Sequence, residues 1–142
     1  MVSIFVEIGA MKKSLLFLLV VMIGVGCATK EEQARTNIQG TWRIELVTEN
    51  GQDVTTEYMS TRVNYRITFD GDNGFIEIYQ QFVGGDDVVI NGSWDFSDKA
   101  TQLILTDNNQ SRVFTIDKLD EDELNVTDQG SNNNRKIEFV PS

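Results

Sequence analysis

Apolar and polar residues alternate along most of the chain from residue 40 onward. In the first such stretch, Trp42, Ile44 and Leu46 are separated by single polar residues. A period of two is typical of a β-strand that buries one face. The pattern recurs at short intervals without a competing helical period, and it predicts eight strands at 41–48, 62–69, 75–82, 88–96, 102–106, 111–119, 123–127 and 135–140.

Short segments rich in turn-forming residues connect these strands. Gly, Asn and Asp recur at 70–74, 84–87 and 107–110, and they suit tight hairpin turns. Hairpins throughout predict an all-β fold, an eight-stranded antiparallel up-and-down β-barrel, since closure removes the exposed edges of such a sheet. A two-sheet sandwich is the alternative, and it would need some longer crossing connections.

The alternation also predicts which side chains face the interior. We expect Trp42 to form the floor of the barrel at its closed end and Trp94 to be a core residue. The predicted inward set is Trp42, Ile44, Leu46, Val63, Tyr65, Ile67, Phe69, Ile76, Ile78, Phe82, Ile90, Trp94, Phe96, Leu103, Leu105, Phe114, Ile116, Leu124, Val126, Ile137 and Phe139.

The beginning of the chain has the form of an export signal. Two lysines follow Met11, and the apolar run at 15–23 is shorter than the roughly 20 residues of a membrane span. Residues 1–26 are therefore predicted to be a signal peptide, with translation starting at Met11. Residues 27–37 are predicted to be the lipid-bearing cysteine and a flexible tether, ahead of a barrel at 38–142.

Small residues at 24–26 followed by Cys27 resemble the lipobox of bacterial lipoproteins, whose cysteine is lipidated and becomes the new N-terminus. The resemblance implies an anchor in the outer membrane through Cys27. An ordinary cleaved signal beside an incidental cysteine is the alternative. Lys30-Glu31-Glu32 resembles the surface-export signal of Bacteroidetes lipoproteins, which would expose the protein on the cell surface. A plain charged linker is the alternative there.

Motifs along the remaining chain resemble the bacterial lipocalin-like lipoprotein domain. Gly40-x-Trp42 is similar to the opening motif of lipocalins, and segments 66–74, 92–96 and 116–124 look like its later motifs. The resemblance extends over 37–140. It implies a lipocalin-like barrel in which Gly40, Trp42 and Trp94 are structural, and it names no ligand.

Composition excludes several function classes. The net charge of −10 argues against binding to nucleic acid or to anionic lipid headgroups. The chain has no histidine and a single cysteine, so the usual nucleophile, general-base and zinc-ligand sets are lacking, and we expect neither an enzyme nor a metal or cofactor. Asp70-Gly71-Asp72-Asn73-Gly74 invites a calcium interpretation, but a plain hairpin turn explains it better.

Inward-facing polar residues near the barrel mouth are the candidates for a binding site. Arg112 and Arg135 each lie an even number of residues from inward apolar residues of the same predicted strand, so their side chains should also face inward. We hypothesise that they bind the anionic head of an amphipathic ligand. The further candidates are Gln80 and Tyr65 on strands and, closing over the ligand, Tyr58 and Met59. The alternative is that both arginines pair with Asp107, Asp128 or other loop carboxylates at the rim.

These observations predict a lipid-anchored, non-enzymatic barrel that binds a small hydrophobic or amphipathic molecule. The alternative is a structural or protein-interaction module with a filled barrel, functional loops and no small ligand. A cavity lined by Tyr65, Ile78, Phe114 and Phe139 would favour the first function. A packed interior with an exposed patch at the mouth would favour the second.

Overall fold

Strands make up most of residues 28–142, the part of the chain that the computed structural model describes. The signal peptide and Cys27 lie outside these residues. The helices are α1 (Lys30–Ile38) and α2 (Thr55–Met59), and a 3-10 turn covers Asp98–Ala100. The strands are β1 (Gly40–Glu49), β2 (Gln52–Asp53), β3 (Val63–Phe69), β4 (Gly74–Gln80), β5 (Asp87–Phe96), β6 (Gln102–Asp107), β7 (Gln110–Leu119), β8 (Leu124–Asp128) and β9 (Lys136–Pro141).

The strands close into the predicted antiparallel up-and-down barrel. Each strand from β3 to β8 pairs with the next one in sequence, β1 pairs with β3, and β1 also pairs with β9. The two-residue strand β2 pairs only with the far end of β1 and lies outside the closed ring. The sandwich alternative is wrong because the β1–β9 pairing leaves the ring of eight strands without a free edge.

The predicted parity holds on most strands, and β1 departs from it at a bulge. Trp42 and Ile44 are buried as expected, but Val47 is fully buried in place of the predicted Leu46. Between Ile44 and Leu46 the pairing with β9 shifts by one residue. A bulge adds one unpaired residue, so every later side chain on the strand changes face.

On β4 the predicted face is wrong. Phe75 and Glu77 are buried at 1% and 4% exposure, whereas Ile76 is 46% exposed and Phe82, beyond the strand, is 65% exposed. Both faces of this strand carry large apolar residues, so the alternation fits either orientation. The observed orientation buries a carboxylate, which requires partners from other strands.

Helix α1 covers the closed end of the barrel, where a flexible tether was predicted. The Thr29 side chain and Glu32 form a reciprocal capping box at its first turn. Ile38 at its end is fully buried, and the Trp42 indole donates a 2.7 Å hydrogen bond to the Ile38 carbonyl. Trp42 thus forms the floor of the barrel as predicted. The tether prediction is wrong for 30–37, which belong to a helix docked on the core.

The Asp70 turn between β3 and β4 also lies at the closed end. Its carboxylate accepts hydrogen bonds from the backbone N–H groups of Asp72 at 2.9 Å and Gly74 at 2.7 Å. Asn73 adopts a φ of 63°, which asparagine tolerates. The plain-turn interpretation accounts for this segment.

The opposite end of the barrel is its mouth. The antiparallel order brings together the 50–62 connection and the loops at 81–86, 108–109 and 129–135. The 50–62 connection folds into β2 and α2. The Thr55 hydroxyl accepts a 2.9 Å hydrogen bond from the Val47 N–H, which ties the start of α2 to β1. Within residues 28–142, no helix is long and apolar enough to cross a bilayer.

Candidate functional site

A cavity of about 150 Å³ lies inside the barrel and reaches its mouth. Apolar side chains from six strands form most of its wall, among them Ile67, Leu103, Phe114, Val126 and Phe139. The remaining lining groups are polar or charged, and they are Tyr58, Tyr65, Arg62, Glu77, Arg112, Asp128 and Arg135. The cavity is therefore amphipathic.

The first polar cluster surrounds Glu77 on β4. The Tyr65 hydroxyl donates a hydrogen bond to Oε1 of this carboxylate, and Arg112 on β7 donates to Oε1 at 3.2 Å and to Oε2 at 2.5 Å. The Arg112 guanidinium also lies 3.5 Å from Asp107 and 5.8 Å from the centre of the Phe75 ring. The buried carboxylate is therefore held by two donors, one of them charged.

Burial and charge act together on the proton equilibria of this cluster. Burial raises the pKa of the Tyr65 hydroxyl well above its usual value, and the neighbouring Glu77 raises it further. For Arg112 burial acts to lower the pKa, but the hydrogen bonds to Glu77 and its charge outweigh burial, so the pKa is raised. Tyr65 is therefore a neutral donor and Arg112 a fixed cation at neutral pH.

The second polar cluster surrounds Arg135 at the rim. Its guanidinium pairs with Glu49 of β1 at 2.6 Å and with Asp128 of β8 at 3.5 Å. The Asn133 side chain donates to the same Glu49 carboxylate at 3.2 Å. The hydrogen bond from Arg135 is the main cause of the lowered pKa of Glu49. Arg135 thus joins the strands at the point where the barrel closes.

The third group is Tyr58 on α2, which lies between two guanidinium groups. The ring centre is 4.3 Å from the Arg62 guanidinium carbon and 5.3 Å from that of Arg135. Burial is the main cause of the raised pKa of the Tyr58 hydroxyl, and the two arginines oppose it. Among residues 28–142, Arg62 is the cavity-lining arginine that has no carboxylate within 4 Å. Its one side-chain hydrogen bond to another described residue is a 3.3 Å donation to Thr61.

These groups suit binding better than metal coordination. Over the described range, no cluster of three His, Cys, Asp or Glu residues could hold a metal ion. The cavity combines an apolar wall, neutral hydroxyls and one cation without an ionic partner, which are the groups that recognise a small amphipathic molecule.

Comparison with known families identifies the barrel. The sequence profile described as "Lipocalin-like domain" matches residues 38–126. The chain belongs to this family. The lipocalin-like match begins at Ile38, which is buried against the barrel floor, and it ends within β8.

Solved structures share this lipocalin-like fold. A lipocalin-like protein from Bacteroides uniformis is 13% identical, with a TM-score of 0.55 over 75% of this chain and 99% of that chain. A DUF4847 family protein from Bacteroides vulgatus is 14% identical, with a TM-score of 0.50 over 75% of this chain and 94% of that chain. Identities this low show the fold alone. No curated protein shows a significant match to the chain.

The lipocalin-like barrel brings together most of the predicted site residues. Arg112, Arg135, Tyr65 and Tyr58 all line the cavity. The pairing alternative is confirmed for both arginines, because Arg112 contacts Asp107 and Arg135 contacts Asp128.

Two predicted residues lie elsewhere. Gln80 has the outward parity of β4 and donates a 3.1 Å hydrogen bond to Asp87, so its inward placement is wrong. Met59 packs beside the core but lines a groove on the outer face together with Gln80 and Ile78. Ile78 is therefore absent from the cavity wall that was predicted to include it.

Two cavity-lining residues escape prediction from the sequence. Glu77 alternates with apolar residues, so the sequence pattern allows its side chain to face either solvent or the interior. The indication of its burial is indirect: an inward Arg112 requires a carboxylate partner. The predicted strand at 62–69 puts Arg62 on the outer face, next to the inward Val63. In the structure β3 begins at Val63, and the fold of the 50–62 connection brings Arg62 to the cavity.

Proposed function

We propose that this lipocalin-like barrel binds one small amphipathic molecule in its interior cavity. The observation that carries the proposal is an apolar cavity whose mouth is lined by Tyr58, Arg62 and Arg135. An apolar wall favours a hydrophobic body, and polar groups at one end fix its orientation. The lining by Tyr65, Phe114 and Phe139 supports the ligand-binding function over a filled barrel.

The size of the cavity limits the ligand. An apolar protein cavity of roughly 150 Å³ accommodates benzene. The present volume of about 150 Å³ therefore suits a body of the size of a single ring. A long acyl chain would need the mouth to widen, so the proposed ligand is compact.

Native mass spectrometry of the protein purified with its bound small molecules tests this proposal. We expect a one-to-one complex with a compact molecule, and we expect Phe114→Trp to reduce its occupancy by filling the cavity. Exposed Val83→Ala is the matched control and leaves occupancy unchanged. A protein that carries no small molecule and takes up no benzene-sized probe would contradict the proposal.

The proposed location is the outer membrane, through lipid attached to Cys27. The resemblance of 24–27 to a lipobox supports it, and α1 adds a geometric consequence. Lys30 begins α1 three residues after Cys27, and an extended chain spans at most about 3.6 Å per residue, so the anchor lies within about 11 Å of the helix. The closed end would then face the membrane and the mouth would face away. Mass spectrometry of the mature N-terminus tests this location, and an unmodified Cys27 would refute it.

The proposed role is binding without catalysis. The carboxylates that line the cavity are engaged in ion pairs, since Glu77 pairs with Arg112 and Asp128 with Arg135. A general base needs a free carboxylate or imidazole beside the reacting atom. Turnover of any bound compound by the purified protein would overturn this assignment.

A second candidate function is supported by an exposed apolar patch. Phe82 and Val83 at the β4–β5 loop are 65% and 85% exposed, and Val89 on the adjoining outer face of β5 is also exposed. Such a patch at the mouth favours a protein-interaction module. Serine substitutions at Phe82 and Val83 should remove partners that cross-link to the protein in native membranes and leave ligand occupancy unchanged. Unaltered cross-linking would eliminate this function.

A further inference from the structure

The three arginines that line the cavity differ in how their charge is balanced. Arg112 is held by Glu77 and Asp107, and Arg135 by Glu49 and Asp128. Within the described part of the chain, Arg62 has no such partner.

We infer that the ligand carries a single carboxylate and that Arg62 receives it. This inference rests on the proposed function, because it names the chemical class of the molecule in the same cavity. Arg62 lines the cavity at the mouth, and its guanidinium lies face-on to the half-buried Tyr58 ring at 4.3 Å. A guanidinium held in this way keeps its N–H donors free for a planar, two-oxygen acceptor.

The charges at the mouth disfavour a doubly charged ligand. Arg62, Arg112 and Arg135 stand beside four carboxylates that pair with the last two arginines. The four carboxylates already outnumber the three arginines. A carboxylate ligand adds one negative charge, which Arg62 can pair, whereas a doubly charged phosphate adds a second one that no further cation among the described residues at the mouth neutralises. The site therefore favours a monocarboxylic acid with a body of about one ring.

The paired arginines are poorer receptors for the same carboxylate. A ligand could take Arg112 only by displacing Glu77, whose side chain is 5% exposed and would be left as a buried charge without a cation. Binding at Arg62 displaces no protein carboxylate. Because binding at Arg62 leaves no buried carboxylate without a cation, we assign the ligand carboxylate to Arg62.

Titration calorimetry with benzoate and its neutral isostere benzamide tests the inference on the purified full protein. We expect benzoate to bind on the order of tenfold more tightly, because a charge-assisted hydrogen bond contributes more than a neutral one. Arg62→Gln should abolish this preference, because it should weaken benzoate binding on the order of tenfold more than benzamide binding. Arg66→Gln is the matched control, since Arg66 is an exposed arginine on the outer face of β3, four residues further along the chain than Arg62.

The outcomes separate this inference from the proposed function. Equal affinity for benzoate and benzamide in the unmodified protein would overturn the carboxylate assignment and leave ligand binding standing. A preference that survives Arg62→Gln would overturn the assignment to Arg62. If neither compound, nor benzene, binds the unmodified protein, the proposed function itself fails. Loss of the preference in Arg62→Gln alone, with Arg66→Gln unchanged, supports the inference.

Discussion

Replacing Arg112 with methionine tests the interior ion pair directly. The substitution keeps an unbranched apolar side chain on β7 but removes the guanidinium that contacts both oxygens of Glu77. The Tyr65 hydroxyl then remains as the one donor to that carboxylate among the hydrogen bonds of the described residues. Glu77 becomes a buried charge without a cation.

The structure sets the size of the effect. Glu77 is 4% exposed, and removing one partner of a buried ion pair costs about 3 to 5 kcal/mol. The Arg112 side chain is 38% exposed at the mouth, so water can partly hydrate the vacated site. We therefore expect the free energy of unfolding to fall by about 3 kcal/mol, the lower end of that range.

Urea denaturation followed by the fluorescence of Trp42 and Trp94 measures this loss. Arg66→Met is the control, because Arg66 is exposed on the outer face of β3 and should change stability by no more than about 0.5 kcal/mol. A loss below about 1 kcal/mol for Arg112→Met would refute the reasoning, since it would mean that Glu77 needs no cation.

The double variant Glu77→Leu/Arg112→Met separates the missing charge from lost packing. It removes both charges, so the buried carboxylate is no longer present without a partner. We expect it to be more stable than Arg112→Met alone. A remaining loss of about 1 to 2 kcal/mol would reflect the Tyr65 hydroxyl, which keeps no acceptor. A double variant that is as unstable as the sum of the two single variants would show that the pair is not coupled.

Three further predictions concern the scaffold. Ile38→Ala should lower the free energy of unfolding by about 3 kcal/mol in urea denaturation, because Ile38 is fully buried; a change below about 1 kcal/mol would contradict docking of α1. Gly92→Ala should cost at least about 2 kcal/mol in the same assay, since its Cβ would lie 2.1 Å from the Thr106 carbonyl oxygen, and a neutral effect would refute that close approach. The hydrogen bond from Arg35 is the main cause of the lowered pKa of Asp95, so the pair stabilises the fold above pH about 4 and this contribution is lost as the pH falls through the lowered pKa. Between pH 4 and pH 2 the unmodified protein should therefore lose more stability than Asp95→Asn, and parallel losses would contradict this.

The sequence predicts a strand well where one of its faces alone is apolar. On β3 the inward residues Tyr65, Ile67 and Phe69 alternate with polar ones, and all three are buried. The prediction fails where pairing with another strand decides which side chains face the interior. The bulge that buries Val47 instead of Leu46 depends on the register between β1 and β9. The alternation of residues along β1 gives no information about that register.

Helix α1 could have been predicted from its ends and not from its periodicity. Its sequence is strongly polar and gives no apolar face of helical period. The signal lies in Thr29 and Glu32, which have the spacing of a capping box, and in Ile38, the apolar residue that anchors the helix end. Periodicity alone therefore assigns this segment to a tether.

The site was predictable as a set of inward arginines but not as a set of pairs. The alternation of inward and outward residues along the predicted strands 111–119 and 135–140 correctly places Arg112 and Arg135 in the cavity wall. Their main partners, Glu77 and Glu49, are 35 and 86 residues away in the sequence. Such pairs form only when the barrel closes, so no local pattern reports them.

The arrangement of the arginines separates stability from recognition. The Glu77–Arg112 pair spans the interior between β4 and β7. The Arg135–Glu49 pair links the residue before β9 to β1, the two strands whose pairing closes the barrel. Both pairs act within the empty barrel, so their loss should appear chiefly as unfolding free energy. Arg62 bridges no two strands and has no carboxylate to lose among the described residues. Its substitution should therefore leave unfolding nearly unchanged and alter only the preference for a charged ligand. The opposite pattern, a destabilised Arg62→Gln with full preference for benzoate, would require the recognition group to be one of the paired arginines.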